Sequence, residues 1–129
     1  MNERICIIGG PRTGKTTLAS SMSHVLHTDD LIGQFDWSRV SEFVAQDWLA
    51  RPGPWVIEGV AAVRALRKWL AANAEGMPCE RIIVLTKPHV ELSKGQASMT
   101  KGHEKVWQEV RPMLLARGVA VSTLKESNR

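Results

Sequence analysis

Short apolar runs alternate along this chain with stretches in which apolar residues recur every three or four positions. Residues 4–8 carry the run Ile5-Cys6-Ile7-Ile8, which has the length and composition of a buried strand. A glycine-rich turn follows, and Thr17-Leu18-Ala19-Ser20 then opens a helical pattern that extends to about Val25. Val25-Leu26-His27-Thr28 predicts a second, short strand ending at Asp29-Asp30. Over residues 38–50, Val40, Phe43, Val44 and Trp48 fall at helical spacing, and Arg51-Pro52-Gly53-Pro54 stops that helix. Trp55-Val56-Ile57 predicts a third strand ending at Glu58-Gly59.

The next helix spans about 60–73, with Val60, Val63, Leu66 and Leu70 on one face and Arg64, Arg67 and Lys68 on the opposite stripe. Ile82-Ile83-Val84-Leu85 predicts a fourth strand, bounded by Lys87-Pro88. Residues 90–102 are polar without a clear period. A last helix is expected from about His103, with Val106, Val110 and Leu114 inward, Gly118 at its end and a break or kink at Pro112. Val119-Ala120-Val121 predicts a fifth strand. Strands alternating with helices are the signature of a parallel sheet with helices on both faces, an α/β mononucleotide-binding fold in three layers. In such sheets ligands bind beyond the carboxyl ends of the strands, where the glycine turn, Asp29-Asp30, Glu58-Gly59 and Thr86-Lys87 all fall.

Composition narrows this picture without changing it. The 129 residues fit one domain, and 43% hydrophobic content is enough for a core. No stretch is long and apolar enough for a membrane span, and no secretory signal pattern is visible. Cys6 and Cys79 have no metal-ligand spacing and read as reduced thiols, which makes a cytoplasmic location the expectation. The four histidines suggest no metal site and are assigned no chemistry. Net charge is +4 and unevenly spread: residues 1–80 hold 8 Lys/Arg against 9 Asp/Glu, residues 81–129 hold 9 against 4. That basic last third faces a polyanion, a bound nucleotide's phosphates, or only solvent.

The glycine turn carries the chemistry. Gly9-Gly10-Pro11-Arg12-Thr13-Gly14-Lys15-Thr16 matches G-x-x-x-x-G-K-[ST] between a strand and a helix, and Thr17 extends it. The glycines let successive backbone N–H groups converge on a phosphate chain, and the helix N-terminus adds a favourable field. Lys15 is placed to reach the outer phosphates of ATP, and the Thr16 hydroxyl to ligate Mg2+. Asp29 and Asp30 supply a base for an attacking hydroxyl and a carboxylate that holds the metal through water, or they cap the following helix. Glu58 stands where a metal-supporting acid is expected, although Asp is the usual residue there. Gly59 leaves room for close approach of an acceptor. No Asn-Lys-x-Asp motif follows the fourth strand, where Leu85-Thr86-Lys87-Pro88 stands, and this argues against a GTPase.

With these motifs in order, the chain resembles the small P-loop kinases of the nucleoside and nucleoside-monophosphate type, including a lid-like segment over about 88–102. The resemblance implies a P-loop NTPase, nucleotide-kinase-like fold with a five-stranded parallel sheet. In that family lid arginines neutralise the transferring phosphoryl group. Here the segment offers Lys94 and Lys101 instead, so Arg12 or Arg64 is left to supply a planar clamp. A narrower resemblance rests on Glu58-Gly59-Val60, Arg64-Ala65-Leu66-Arg67-Lys68-Trp69-Leu70, Gly95-Gln96 and Met99-Thr100-Lys101-Gly102. These are similar to short bacteriophage kinases that phosphorylate the hydroxymethyl group of 5-hydroxymethyluracil in DNA. That resemblance implies Asp29 or Asp30 as base and a DNA track through Arg64, Arg67, Lys68, Lys94 and Lys101. Gln96 and Met99 are candidate substrate contacts, or only parts of a disordered lid. The same resemblance also implies a flipped base, on which one of the five tryptophans could stack, although their spacing places most of them in the core. Two alternatives stand beside it: a kinase for a free nucleoside, nucleotide or other small hydroxyl-bearing metabolite, and a non-catalytic nucleotide-binding accessory protein.

Overall fold

The computed structural model describes residues 3–10, 15–19, 22–85 and 91–124. Five strands form one parallel sheet: β1 (Arg4–Gly9), β2 (Val25–His27), β3 (Trp55–Glu58), β4 (Arg81–Leu85) and β5 (Ala120–Leu124), in the spatial order β2-β3-β1-β4-β5. The helices are α1 (Lys15–Ala19), α2 (Trp37–Phe43), α3 (Ala62–Ala72) and α4 (Lys94–Ala116). β1 is central, and the chain winds to one side of it and then to the other. This puts the turn after β1 at the crevice where the winding changes direction.

Period-two alternation sorts the strand residues onto two faces. Cys6, Ile8, Ile57, Ile82 and Val84 pack under α2, α3 and α4, together with Val40, Val63, Leu66, Val106 and Val110. Ile7, Val56, Ile83 and Leu85 pack on the other face with Ala19 and Leu18 of α1. Each large aliphatic side chain removed from water here stabilises the fold by roughly 1.5–3 kcal/mol. Trp48, Trp55 and Trp107 are buried in the larger cluster, so none of the three is free to stack on a base. Cys6 and Cys79 are free, buried thiols. A hydrogen bond to Cys79, and then burial, push the Cys6 thiol well up, which leaves it protonated and unreactive.

Three elements depart from the sequence expectation. The helix after the loop is helical over Lys15–Ala19 and gives way before Val25: Met22, Ser23 and His24 are bends, and His24 takes a left-handed φ of 59°. The second helix starts on an Asp36 cap, whose side chain accepts from Arg39 N at 2.9 Å, and widens into a π-turn over Val44–Trp48. The largest departure is α4. It begins at Lys94 rather than near His103, because Ser93 and Gln96 form a reciprocal capping box. It also runs through Pro112 without a break. Pro112 and Gln108 are both exposed, so water can satisfy the carbonyl that the proline ring leaves without an N–H.

Candidate active site

The carboxyl ends of three neighbouring strands meet around Lys15. β1 delivers Gly9 and Gly10, β3 delivers Glu58, and β2 runs into a single 3-10 turn, Thr28–Asp30. Lys15 opens α1, is 7% exposed, and its Nζ donates to the Gly10 carbonyl at 2.7 Å. Burial lowers its pKa, while the fields of Glu58 and Asp29 act in the opposite direction. A buried cation folded back onto the loop backbone and faced by two carboxylates suits a group that exchanges a carbonyl for phosphate oxygens. Pro11, Arg12, Thr13 and Gly14, and the side chains of Thr16 and Thr17, lie outside the described residues, as does the first part of the lid-like segment.

Glu58 is 1% exposed, and its Oε2 accepts from Nδ1 of the half-exposed His27, its register partner across the β2–β3 pair. The carboxylate proposed for metal support therefore already has a side-chain partner. Gly59 has φ +137°, and a Cβ there would overlap Thr28 Oγ1. What approaches this glycine closely is the chain's own Thr28, not an acceptor. Asp29 and Asp30 are exposed on the 3-10 turn, with Asp29 near enough for its field to act on Lys15. Among the described residues no group of three or more His, Cys, Asp or Glu side chains could hold a metal. A magnesium ion here would draw most of its ligands from phosphates and water, its usual manner. The exposed carboxylates of Asp29 and Asp30 fit such an ion held by a nucleotide, and the Lys15 ammonium fits the nucleotide's phosphates.

Beside the loop lies a cavity of about 430 Å³ lined by residues of α2, α3 and α4 together with Gly10. α3 contributes Arg64, Arg67 and Lys68, α2 contributes Ser38 and Ser41, and α4 contributes Met99 and His103. The stripe of α3 opposite its core face thus looks into a cavity roofed by two other helices. Lys68 Nζ donates to the Ser38 carbonyl at 2.8 Å, and Arg67 pairs with Glu109 of α4 at 3.5 Å. Arg64 lies against Gly102, where a Cβ would stand 3.3 Å from its Nη2. The first half of α4 rests on the phosphate loop itself: a Cβ on Gly10 would stand 2.8 Å from Thr100 Oγ1. The expected track is accordingly divided, with Arg64, Arg67 and Lys68 in the cavity and Lys94 and Lys101 exposed on α4. Gln96 is occupied by the capping box.

Sequence reasoning named Met99, which lines the cavity, but missed Ser38, Ser41 and His103. For His103 a signal existed, because it precedes Val106, Val110 and Leu114 on the same helical face. It is 7% exposed, and its Nε2 has no hydrogen-bond partner among the described residues. Burial, and then the Lys15 and Arg64 charges, push its pKa down to about 4.

No protein-family model matches the chain, and no curated protein matches it. Among solved structures, shikimate kinase from Acinetobacter baumannii in complex with shikimate superimposes with a TM-score of 0.54 at 15% identity. The match covers 100% of this chain and 86% of that one. At that identity the likeness is one of fold. The chain has the α/β fold of the P-loop NTPases, with a five-stranded parallel sheet. No helix of the described residues is long and apolar enough to cross a membrane.

Proposed function

We propose that this chain is an ATP- and magnesium-dependent kinase that transfers the γ-phosphoryl group to a hydroxyl of a small anionic acceptor. The observation that carries the proposal is the cavity that starts at Gly10 and presents Arg64, Arg67 and Lys68. Its volume of about 430 Å³ lies within the usual small-molecule range, and two guanidinium groups and an ammonium group recognise carboxylate or phosphate. The solved structure with the same fold is a kinase in complex with the small molecule shikimate, which supports this reading over a polymeric acceptor.

In this account Lys15 leaves the Gly10 carbonyl and takes phosphate oxygens, and the loop amides hold the phosphate chain. Magnesium neutralises phosphate charge when bound, with Thr16 and Asp29 or Asp30 as the residues that would hold it and Glu58 behind them. Arg64 and Lys68 orient the acceptor's anionic group so that its hydroxyl points toward Gly10. α4, seated on the loop, keeps bulk water out of the junction.

A second reading keeps the reaction and changes the acceptor to the hydroxymethyl group of 5-hydroxymethyluracil in DNA. It is favoured by Lys94 and Lys101, exposed on the same helix that walls the cavity, and by the net charge of +4. There the cavity would receive a flipped nucleotide and its phosphate.

The test offers γ-labelled ATP and magnesium to the wild type and to Lys15→Met. The acceptors are hydroxy acids including shikimate, free nucleosides and nucleotides, and DNA with and without 5-hydroxymethyluracil. Label entering a small anionic acceptor, and lost in the variant, is the expected result. Label entering only the modified DNA replaces the first reading by the second. Tight ATP binding with no transfer to any acceptor leaves a nucleotide-binding accessory protein and overturns both.

A further inference from the structure

α4 carries two glycines, and their surroundings are opposite. A glycine inside a helix is destabilising relative to alanine, because its backbone loses more freedom on folding. Gly95 lies at the exposed start of α4, and a Cβ there would meet nothing within 4 Å. Gly102 lies deeper in the helix, half-buried, and a Cβ there would stand 3.3 Å from Arg64 Nη2. That separation is inside ordinary van der Waals contact, so a side chain at 102 and the arginine cannot both keep their places. α4 is not free to back away. Thr100 rests on the loop at Gly10, and beyond Gly102 the side chains of Val106 and Val110 are locked in the core. What yields is the end of Arg64.

Arg64 is also the cavity cation with the least to hold it. Lys68 donates to the Ser38 carbonyl and Arg67 pairs with Glu109, whereas Arg64 makes no hydrogen bond or ion pair among the described residues. Its guanidinium is therefore placed by what it packs against, and that includes the bare backbone at Gly102. A guanidinium offers paired donors to a carboxylate or phosphate only when it is aimed correctly, and such sites tolerate errors of about 0.5 Å.

Resting on the kinase reading above, we propose that Gly102 is a positioning residue for the acceptor. Its missing side chain is the seat that sets Arg64 against the acceptor's carboxylate or phosphate. Gly102 touches no substrate in this account and acts only through Arg64. The helix forgoes the stability of an alanine at this position and keeps the seat open.

Gly102→Ala and Gly95→Ala are compared with wild type in transfer from ATP to the small anionic acceptor, with ATP affinity and melting temperature measured alongside. Both substitutions remove a helix glycine, so neither should melt below wild type. Gly95→Ala should keep wild-type kinetics, whereas Gly102→Ala should raise the acceptor KM roughly 3- to 10-fold with ATP affinity unchanged. Placed in the Arg64→Gln background, Gly102→Ala should raise that KM no further, because the group it acts through is gone. An acceptor KM within about twofold of wild type in Gly102→Ala overturns the proposal, as does an equal rise in the Arg64→Gln background. A melting temperature several degrees below wild type would show that α4, not Arg64, gave way, and overturns it too. The Arg64 Nε–Hε signal in ¹H–¹⁵N spectra supplies a readout that needs no turnover. It should shift in Gly102→Ala and stay in place in Gly95→Ala, and an unmoved signal in Gly102→Ala overturns the proposal whatever the kinetics. A signal that shifts while the wild type labels no acceptor upholds the seat and removes the kinase reading instead.

Discussion

Two titratable groups at the loop–cavity junction are buried by the same packing and pushed in the same direction, yet they do different work. Lys15 loses solvation but keeps Glu58 and Asp29 as counter-charges, so its environment supports a cation awaiting phosphates. Lys15→Met should abolish detectable ATP binding while leaving the far-ultraviolet circular dichroism unchanged. Retained nanomolar or micromolar binding would show that the loop works without its lysine. His103 has no counter-charge and stays neutral in the folded protein down to about pH 4, while the unfolded imidazole titrates at its ordinary value of 6.5. The unfolded state therefore binds the extra proton first. The stability tied to this group is fully present above pH 6.5 and is lost as the pH falls toward 4. The loss is on the order of 2–3 kcal/mol, with cavity water reducing it. Urea midpoints of wild type and His103→Gln should diverge between pH 7 and pH 5, with the wild type falling more; parallel curves would contradict the burial argument. At this scale the loop residues were legible because their chemistry is local in sequence. Ser38, Ser41 and His103 were not, because what makes them cavity residues is the approach of α4 to α3.

At the scale of elements, the site depends on two joints. One is the contact of Gly59, after β3, with Thr28, after β2. Any side chain at Gly59 meets both an unfavourable φ and an occupied space. Gly59→Ala should lower stability by roughly 2–4 kcal/mol and lower the melting temperature accordingly. A melting temperature within a degree of wild type would show that the joint is soft. The other joint is the start of α4, which carries Thr100 and His103 to the loop. Ser93→Ala removes half of its capping box and should cost about 1 kcal/mol, read as faster amide hydrogen exchange over the first turns of α4. Unchanged exchange there would mean that packing, not the cap, sets the start of the helix. The Ser-x-x-Gln signal for that start was present in the sequence. The absence of an apolar period over 94–102 masked it, because that half of α4 faces a polar cavity and solvent instead of the core. Proline at 112 misled for a related reason: a helix tolerates the missing hydrogen bond where its face is wet.

At the scale of the whole molecule, the alternation of strand and helix was fully legible, because both faces of a parallel sheet demand apolar runs such as Ile5–Ile8 and Ile82–Leu85. Strand order was not, since β3 lies beside β1 through contacts that no local pattern encodes. The basic residues were legible as a set but not as a place. Folding takes Arg64, Arg67 and Lys68 under two helices and leaves Lys94 and Lys101 outside, which turns an expected track into a cavity with a basic exterior. That division carries the central claim, that a hydroxyl acceptor is held by α3 beside the phosphate loop. The most direct measurement is steady-state transfer by Arg64→Gln against wild type, with ATP affinity determined in parallel. One charge-assisted contact to the acceptor predicts a KM for the acceptor raised roughly 10- to 100-fold with ATP affinity unchanged. An unchanged acceptor KM would contradict the account and place the acceptor elsewhere.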